Sequence, residues 1–209
     1  MRINTNVASL NAQESATKTN NNLASSLEKL SSGLRINKAS DDASGLAIAD
    51  KLRTQASSIG QGISNANSAV SLTQIADKAM GEESNILDII KTKLLQAATA
   101  TTSTAGHDAI QKDVTKLLDQ INNIASQTNY NGISLLQESA GAGAGATTAL
   151  TFQTGETSSD TIVTAGAVQA NVSGLGLESL HQATMTQTAA THYISAVDDS
   201  LNTLNGWRA

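Results

Sequence analysis

Apolar residues recur early in the chain as Ile3, Val7 and Leu10, and then as Leu23, Leu27, Leu30 and Leu34, at intervals of three, four and seven. That spacing predicts an amphipathic helix with a narrow stripe of the kind that seeks one partner helix. The opposite side is Asn, Thr, Gln and Ser. Between the two clusters, Lys18 to Asn22 contains three asparagines, which lower helix propensity and leave the helix dependent on a partner. Gly33 and Asn37 are stop signals. Ser40, followed by Asp41 and Asp42, is a start signal, with a hydroxyl able to cap and acids for the positive first turn. Arg35, Lys38, Asp41 and Asp42 therefore mark a junction between helices.

From Ala43 to about Ala98 the helical pattern is long and nearly unbroken, with Ile59, Ile63, Ala66 and Val70 on one face and Leu87, Ile90 and Leu94 further on. Glycines at 60, 62 and 81 soften it locally. TATTSTAG, residues 99 to 106, has no period and reads as a turn. Ile110, Val114, Leu117, Leu118, Ile121 and Ile124 form the stripe of a third helix ending near Ser126 to Asn129. Asn131-Gly132 is a tight-turn pair, and ISLL after it reads as a short strand. AGAGAGA, residues 140 to 146, is of low complexity: a silk-like strand or, as its shortness favours, a loop. ALTFQT and DTIVTA flank GETSS as a hairpin would. A fourth seam, Ile194, Val197, Leu201 and Leu204, runs up to Trp207.

Composition sharpens this picture. One Trp, two Tyr and one Phe in 209 residues leave the core to Leu, Ile, Val and Ala, which suits close-packed helices. The absence of Pro permits very long ones, and the absence of Cys removes disulfides and thiolate metal sites. A net charge of −5 argues against a nucleic-acid partner, which demands concentrated Lys and Arg. The first residues lack the apolar run of a secretory signal, and no stretch of 18 successive apolar residues is present to span a membrane. These signals fit a cytoplasmic protein or one exported by an unusual route. The fold class they predict is mainly α: a long helical rod or bundle with coiled-coil character plus a small β-hairpin region.

Catalytic chemistry finds no foothold. His107, His181 and His192 are scattered, without HExxH or a His pair at one-turn spacing, and neither a phosphate-binding loop nor a nucleophile elbow occurs. Asp41-Asp42 and Asp198-Asp199 are carboxylate pairs, but neighbours on a helix diverge and cannot converge on one substrate. They read as solvated or interfacial acids. No enzyme activity, cofactor or metal is expected.

MRINTNVASLNAQ at the start, LEKLSSGLRINKASDDASGLAIADKLRTQ across the junction, and SQTNYNGISLLQ after the third helix resemble bacterial flagellin. FQTGETSSDTIVTA is similar to that family's hairpin, and ISAVDDSLNTLNGWRA resembles the start of its C-terminal helical region. The combination covers most of the chain in the family's order. The resemblance implies two domains. Residues 1–42 would be a filament-core helix and spoke, with Ile3, Val7, Leu10, Leu23, Leu27, Leu30 and Leu34 as assembly seam. Residues 43–209 would be a rod-shaped helical domain built from helices near 43 to 98, 108 to 127 and 180 to 209, with a β-hairpin insert at about 131–170. Only residues 128 to 179 separate the last two helices, so a large variable outer domain is missing. Arg35, Lys38, Asp41 and Asp42 would sit where subunits meet, where charges fix register more than they stabilise. Against this stands the plainer reading that they cap two helices and face water.

The implied partners are other copies of the chain in a helical filament, the flagellar type III export apparatus and a chaperone, and hook-associated and cap proteins. The implied location is the extracellular flagellum, reached without a cleaved signal. Flagellins continue beyond the position of Ala209 into a helix that pairs with the N-terminal one, which leaves the Leu23 to Leu34 seam unpartnered here. A second departure falls in LDIIKTKLLQAA: many flagellins carry an arginine at the place of Ile89 and a leucine at that of Lys93, in the patch read by the host Toll-like receptor. Asp88, Ile89, Ile90, Lys91, Thr92, Lys93, Leu94 and Leu95 resemble the receptor-evading subgroup, because an aliphatic side chain cannot imitate a guanidinium fork. Weak receptor activation is expected, unless Ile89 is simply a core residue flanked by Ile86 and Ile90. The expected function is a structural, self-assembling subunit of the motility filament. The alternatives are a secreted, non-polymerising flagellin-like interaction protein and a hook–filament junction protein.

Overall fold

The computed structural model describes residues 6–139, 144–164 and 166–209. Ile3 of the predicted seam and positions 140–143 of the Ala-Gly run lie outside the described residues. The chain divides into two compact units, Met1–Gly60 and Gln61–Ala209. Among the described residues, five helices and two small antiparallel hairpins make it mainly α.

In the first unit, α1 spans Val7–Ser32 and runs without a break through the asparagine-rich stretch. Asn6 caps its start, accepting from the Ser9 N–H at 3.3 Å. Gly33 ends it in the left-handed region at φ 67°, where a residue without Cβ is at no disadvantage. α2 then spans Ala43–Ala97, its first part in this unit and the remainder in the second. Asp42, rather than the expected Ser40, caps α2: its carboxylate accepts the Gly45 N–H at 2.9 Å and its carbonyl the Leu46 N–H at 3.0 Å. Both acids of the junction precede the helix instead of occupying its first turn.

The second unit is built around a heptad seam. Met80, Glu83, Leu87, Ile90, Leu94 and Ala97 of α2 alternate three and four apart, and all are buried. α3, Thr104–Gln127, buries Ile110, Val114, Leu118, Ile121 and Ala125 at intervals of four, four, three and four. α5, Gln187–Arg208, buries Ala190, Val197 and Leu204 at intervals of seven. These residues form one core cluster, closed by Leu135, Leu136, Val172, Leu175 and Leu177 from the connections and by Leu180 from the short helix that follows them. Ion pairs tie the helices laterally: Arg208 to Asp77 at 2.9 Å, Lys93 to Asp113 at 2.9 Å, and Lys91 to Asp198.

Three sequence expectations need correction here. α3 begins at Thr104, inside the expected turn, because Ser103 accepts the Gly106 N–H and satisfies the helix start. The expected fourth helix from 180 is two: α4, Glu178–Gln182, and α5, separated by extended backbone at Ala183 and recapped by Thr186. Asp198, expected as a solvated or interfacial acid, is ion-paired within the chain to Lys91. The hairpins agree with the sequence. β1 (Asn129–Tyr130) pairs with β2 (Ile133–Ser134) across Asn131 and Gly132, both with positive φ, as a tight two-residue turn requires. β3 (Thr151–Gln153) pairs with β4 (Thr161–Val163), Phe152 opposite Ile162.

Candidate assembly interface

α1 buries none of its residues. Val7, Leu10, Leu23, Leu27, Leu30 and Leu34 are all more than half exposed, with Leu30 at 79 %. The structure thus leaves a stripe of large apolar side chains in water along this helix of 26 residues and just beyond its end at Leu34, whereas helices in folded proteins owe most of their stability to packing an apolar face.

The junction is held by a set of bonds that the sequence only half disclosed. Asp41 Oδ2 accepts the backbone N–H groups of Asn37 and Lys38 at 3.2 Å each, and its other oxygen meets Lys29 Nζ at 3.2 Å. The backbone N–H of Asn37 foremost, with Lys29 and the Lys38 N–H behind it, holds the Asp41 carboxyl below the usual carboxylate range. Lys38 turns instead to Glu28, at 2.7 Å, which raises its pKa. Asn37 donates to the Glu28 carbonyl at 3.2 Å and to Ser32 Oγ at 2.7 Å, folding the loop back on the end of α1. The structure thus brings Lys38 and Asp41 into one cluster around a shallow hollow of about 250 Å³ that Asn21, Ser25 and Ser40 also line. Asp42 faces away into the α2 cap, and Arg35 is exposed, without an ion pair among the described residues. Glu28, Lys29 and Asn37 were missed; a charge and an amide one turn from the Gly33 stop were the available signal.

The receptor-patch positions split between two environments. Ile90 and Leu94 are fully buried core, whereas Ile89 and Leu95 are about half exposed. Ile89 is therefore a surface residue, which removes the alternative that made it core. It stands with Lys93, Asp113, Lys116, Leu117 and Gln120 around an open groove between α2 and α3. Lys93 is bound to Asp113 across it, so its charge is partly spent within the chain. Lys91 is engaged with Asp198, Thr92 Oγ1 donates to the Asp88 carbonyl, and Asp88 and Thr92 face solvent.

The hairpin β3–β4 meets α2 at a notch that the sequence read only as local softening. A Cβ on Gly62 would stand 2.2 Å from the Thr154 carbonyl oxygen, so only glycine admits the strand here. Asn65 closes the contact by donating to the Gln153 carbonyl at 2.8 Å. Among the described residues no cluster of three metal-ligating side chains occurs, and no helix is long and apolar enough to cross a membrane.

Long helices with three- and four-spaced buried seams, two small antiparallel hairpins and an exposed apolar stripe on α1 define a mainly α-helical class of protein. The comparisons fix the family. The family model for the bacterial flagellin N-terminal helical region matches residues 3–141. The chain is 49% identical over 166 residues to flagellin B of Helicobacter pylori strain J99, covering 77% of this chain and 32% of the relative. It is 53% identical over 135 residues to flagellin A of Helicobacter mustelae, covering 65% and 27%. The crystal structure of Bacillus cereus flagellin superposes with a TM-score of 0.55 at 27% identity, over 68% of this chain and 77% of that one. This chain belongs to the bacterial flagellin family. It spans about a third of the length of the curated relatives it matches.

Proposed function

We propose that the protein is a structural subunit of the bacterial flagellar filament, working outside the cell through self-association of its helical surfaces. The observation that carries this reading is α1, a helix of 26 residues that buries none of them and exposes a seven-spaced leucine stripe. Residues 1–42 act as filament-core helix and spoke, and residues 43–209 as a rod-shaped helical domain with a β-hairpin insert at about 131–170. The Lys38–Glu28 and Asp41–Lys29 pairs hold the spoke at one angle; being exposed, they set orientation more than stability. The implied partners are further copies of the chain, the type III export apparatus with its chaperone, and the hook-associated and cap proteins, reached without a cleaved signal.

Leu27→Asp tests the seam. In cells whose filament is made from this protein, the substitution should abolish filaments while the thermal transition of the second unit stays in place. Filaments of normal length, or loss of that transition, would remove the seam from assembly. The Ile89 surface supports a second reading, weak activation of the host Toll-like receptor, because an aliphatic group there offers no donors. Strong reporter activation at low concentration would refute it, and Ile89→Arg should raise the response if the position matters.

A further inference from the structure

Position 83 breaks the chemistry of the seam it sits on. Met80, Leu87, Ile90, Leu94 and Ala97 are the apolar residues a heptad seam calls for, yet between the first two stands Glu83, with 0% of its surface exposed. Neither of its carboxylate oxygens has a hydrogen-bond partner. The other fully buried polar side chains are bonded: Asn171 donates to Gln137 Oε1 at 3.0 Å, and Ser200 donates to the Leu175 carbonyl at 2.8 Å; elsewhere in the unit only His107 Nδ1 and Gln111 Oε1, on less buried residues, lack a partner among the described residues. A carboxylate withdrawn from water without donors is among the costliest arrangements a core can hold, and the protonated acid is far cheaper.

The charges on the surrounding elements do not relieve it. On α2 itself, Asp77 holds Arg208 and Lys91 holds Asp198, while Lys78, Glu82 and Asp88 make no bond to it. On α5, Asp198 and Arg208 are those same partners, and Asp199 is the remaining acid. On α3, Asp113 holds Lys93 and Asp119 holds His181, and Lys112 and Lys116 do not bond to it. The connecting segment 129–137 offers Tyr130 as its titratable group, and segment 168–177 offers none.

We propose that Glu83 is a protonation latch on the helical core of the second unit: as the neutral acid it lets the seam of α2 close on α3 and α5, and loss of its proton to solvent loosens that packing. Burial pushes the carboxyl up to about 9, consistent with a neutral group throughout the physiological range. The folded state then binds a proton that the unfolded chain releases near its ordinary value of 4.5, so stability is highest below that value and falls as pH rises towards 9. Within this window the folding equilibrium constant drops by about tenfold per pH unit.

The test is urea unfolding of the full 209-residue chain and of Glu83→Gln at pH 6, 7 and 8, read by circular dichroism. Groups common to both proteins cancel in the comparison. The latch predicts that the ratio of the two folding constants moves about 100-fold in favour of the variant between pH 6 and 8. Parallel profiles would overturn it. A direct titration of the unsubstituted chain, by carbon-13 NMR of the glutamate carboxyls assigned with Glu83→Gln or Glu83→Met, keeps the proposal falsifiable should one variant not fold. A Glu83 resonance still protonated at pH 7 supports the latch, and one that titrates near 4.5 in the folded protein refutes it.

Discussion

Two glycines in the same helix should respond oppositely to the same substitution. At Gly60 an added Cβ meets nothing within 4 Å, so Gly60→Ala gains only the helix preference of alanine, about 1 kcal/mol. At Gly62 the added carbon would lie 2.2 Å from the Thr154 oxygen and 2.7 Å from its carbonyl carbon, both backbone atoms with no rotamer to escape into. The strand must retreat by more than an ångström, which breaks the 2.8 Å bond from Asn65 to Gln153. Losing that bond costs about 1 kcal/mol and overpacking costs about 1–3 kcal/mol more, so the helix gain is outweighed and the net loss is about 1–3 kcal/mol. Thermal melts of the two variants should therefore separate, by about 2–4 °C for each kcal/mol in a chain of this size. Hydrogen exchange should place the damage in β3 and β4, with faster exchange in Gly62→Ala and unchanged exchange in Gly60→Ala. If Gly62→Ala stabilised the protein as much as Gly60→Ala, with the hairpin equally protected, the notch would not exist.

Leu118→Ala, at a fully buried position of α3, should cost about 2–5 kcal/mol in chemical denaturation, whereas Ile89→Ala on the exposed side of α2 should cost under about 1 kcal/mol. Asp42→Ala should remove the cap of α2 and destabilise its first turn by about 1 kcal/mol, read as faster exchange of the Gly45 and Leu46 amides; unchanged exchange would return the cap to Ser40. Asp41 carries a depressed pKa, so its hold on the junction is present above the ordinary value of 3.8 and is lost as pH falls through the lower folded value. The Asn37 and Lys38 amide resonances should move together with a midpoint below 3.8, and a midpoint above it would show that the bonds do not form in solution.

What could be read in the sequence was local and periodic. The α1 stripe, the extent of α2, the third-helix face and the Asn131-Gly132 turn each announce themselves within a few residues, because spacing and backbone preference decide them. What escaped depends on partners far away in the chain. Gly62 reads as a soft spot because the backbone that needs its missing Cβ is at Thr154, just past the end of β3 and far along the chain. Lys38 and Asp41 lie between α1 and α2, but their partners Glu28 and Lys29 lie back on α1, and only the folded loop shows the pairing. The cap moved from Ser40 to Asp42 because both side chains are suitable and the backbone chooses between them. Asp198 belongs with Lys91 by tertiary register alone. Glu83 was within reach of sequence reasoning: continuing the three-four alternation back from Leu94 through Ile90 and Leu87 arrives at a charged residue on a core position.

The filament reading meets its most direct test in the protein composition of sheared filaments. Cells that make the protein are stripped of their surface filaments, which are sedimented, digested with trypsin and quantified by mass spectrometry. The peptide from Thr54 to Lys78, set between Arg53 and Ala79, serves as the reporter of this chain. The account predicts it at an abundance matching the principal protein of the sedimented filaments and depleted from the culture fluid. A peptide found in the culture fluid and absent from the filaments would contradict it, and would make the exposed leucine seam a surface for something other than its own kind.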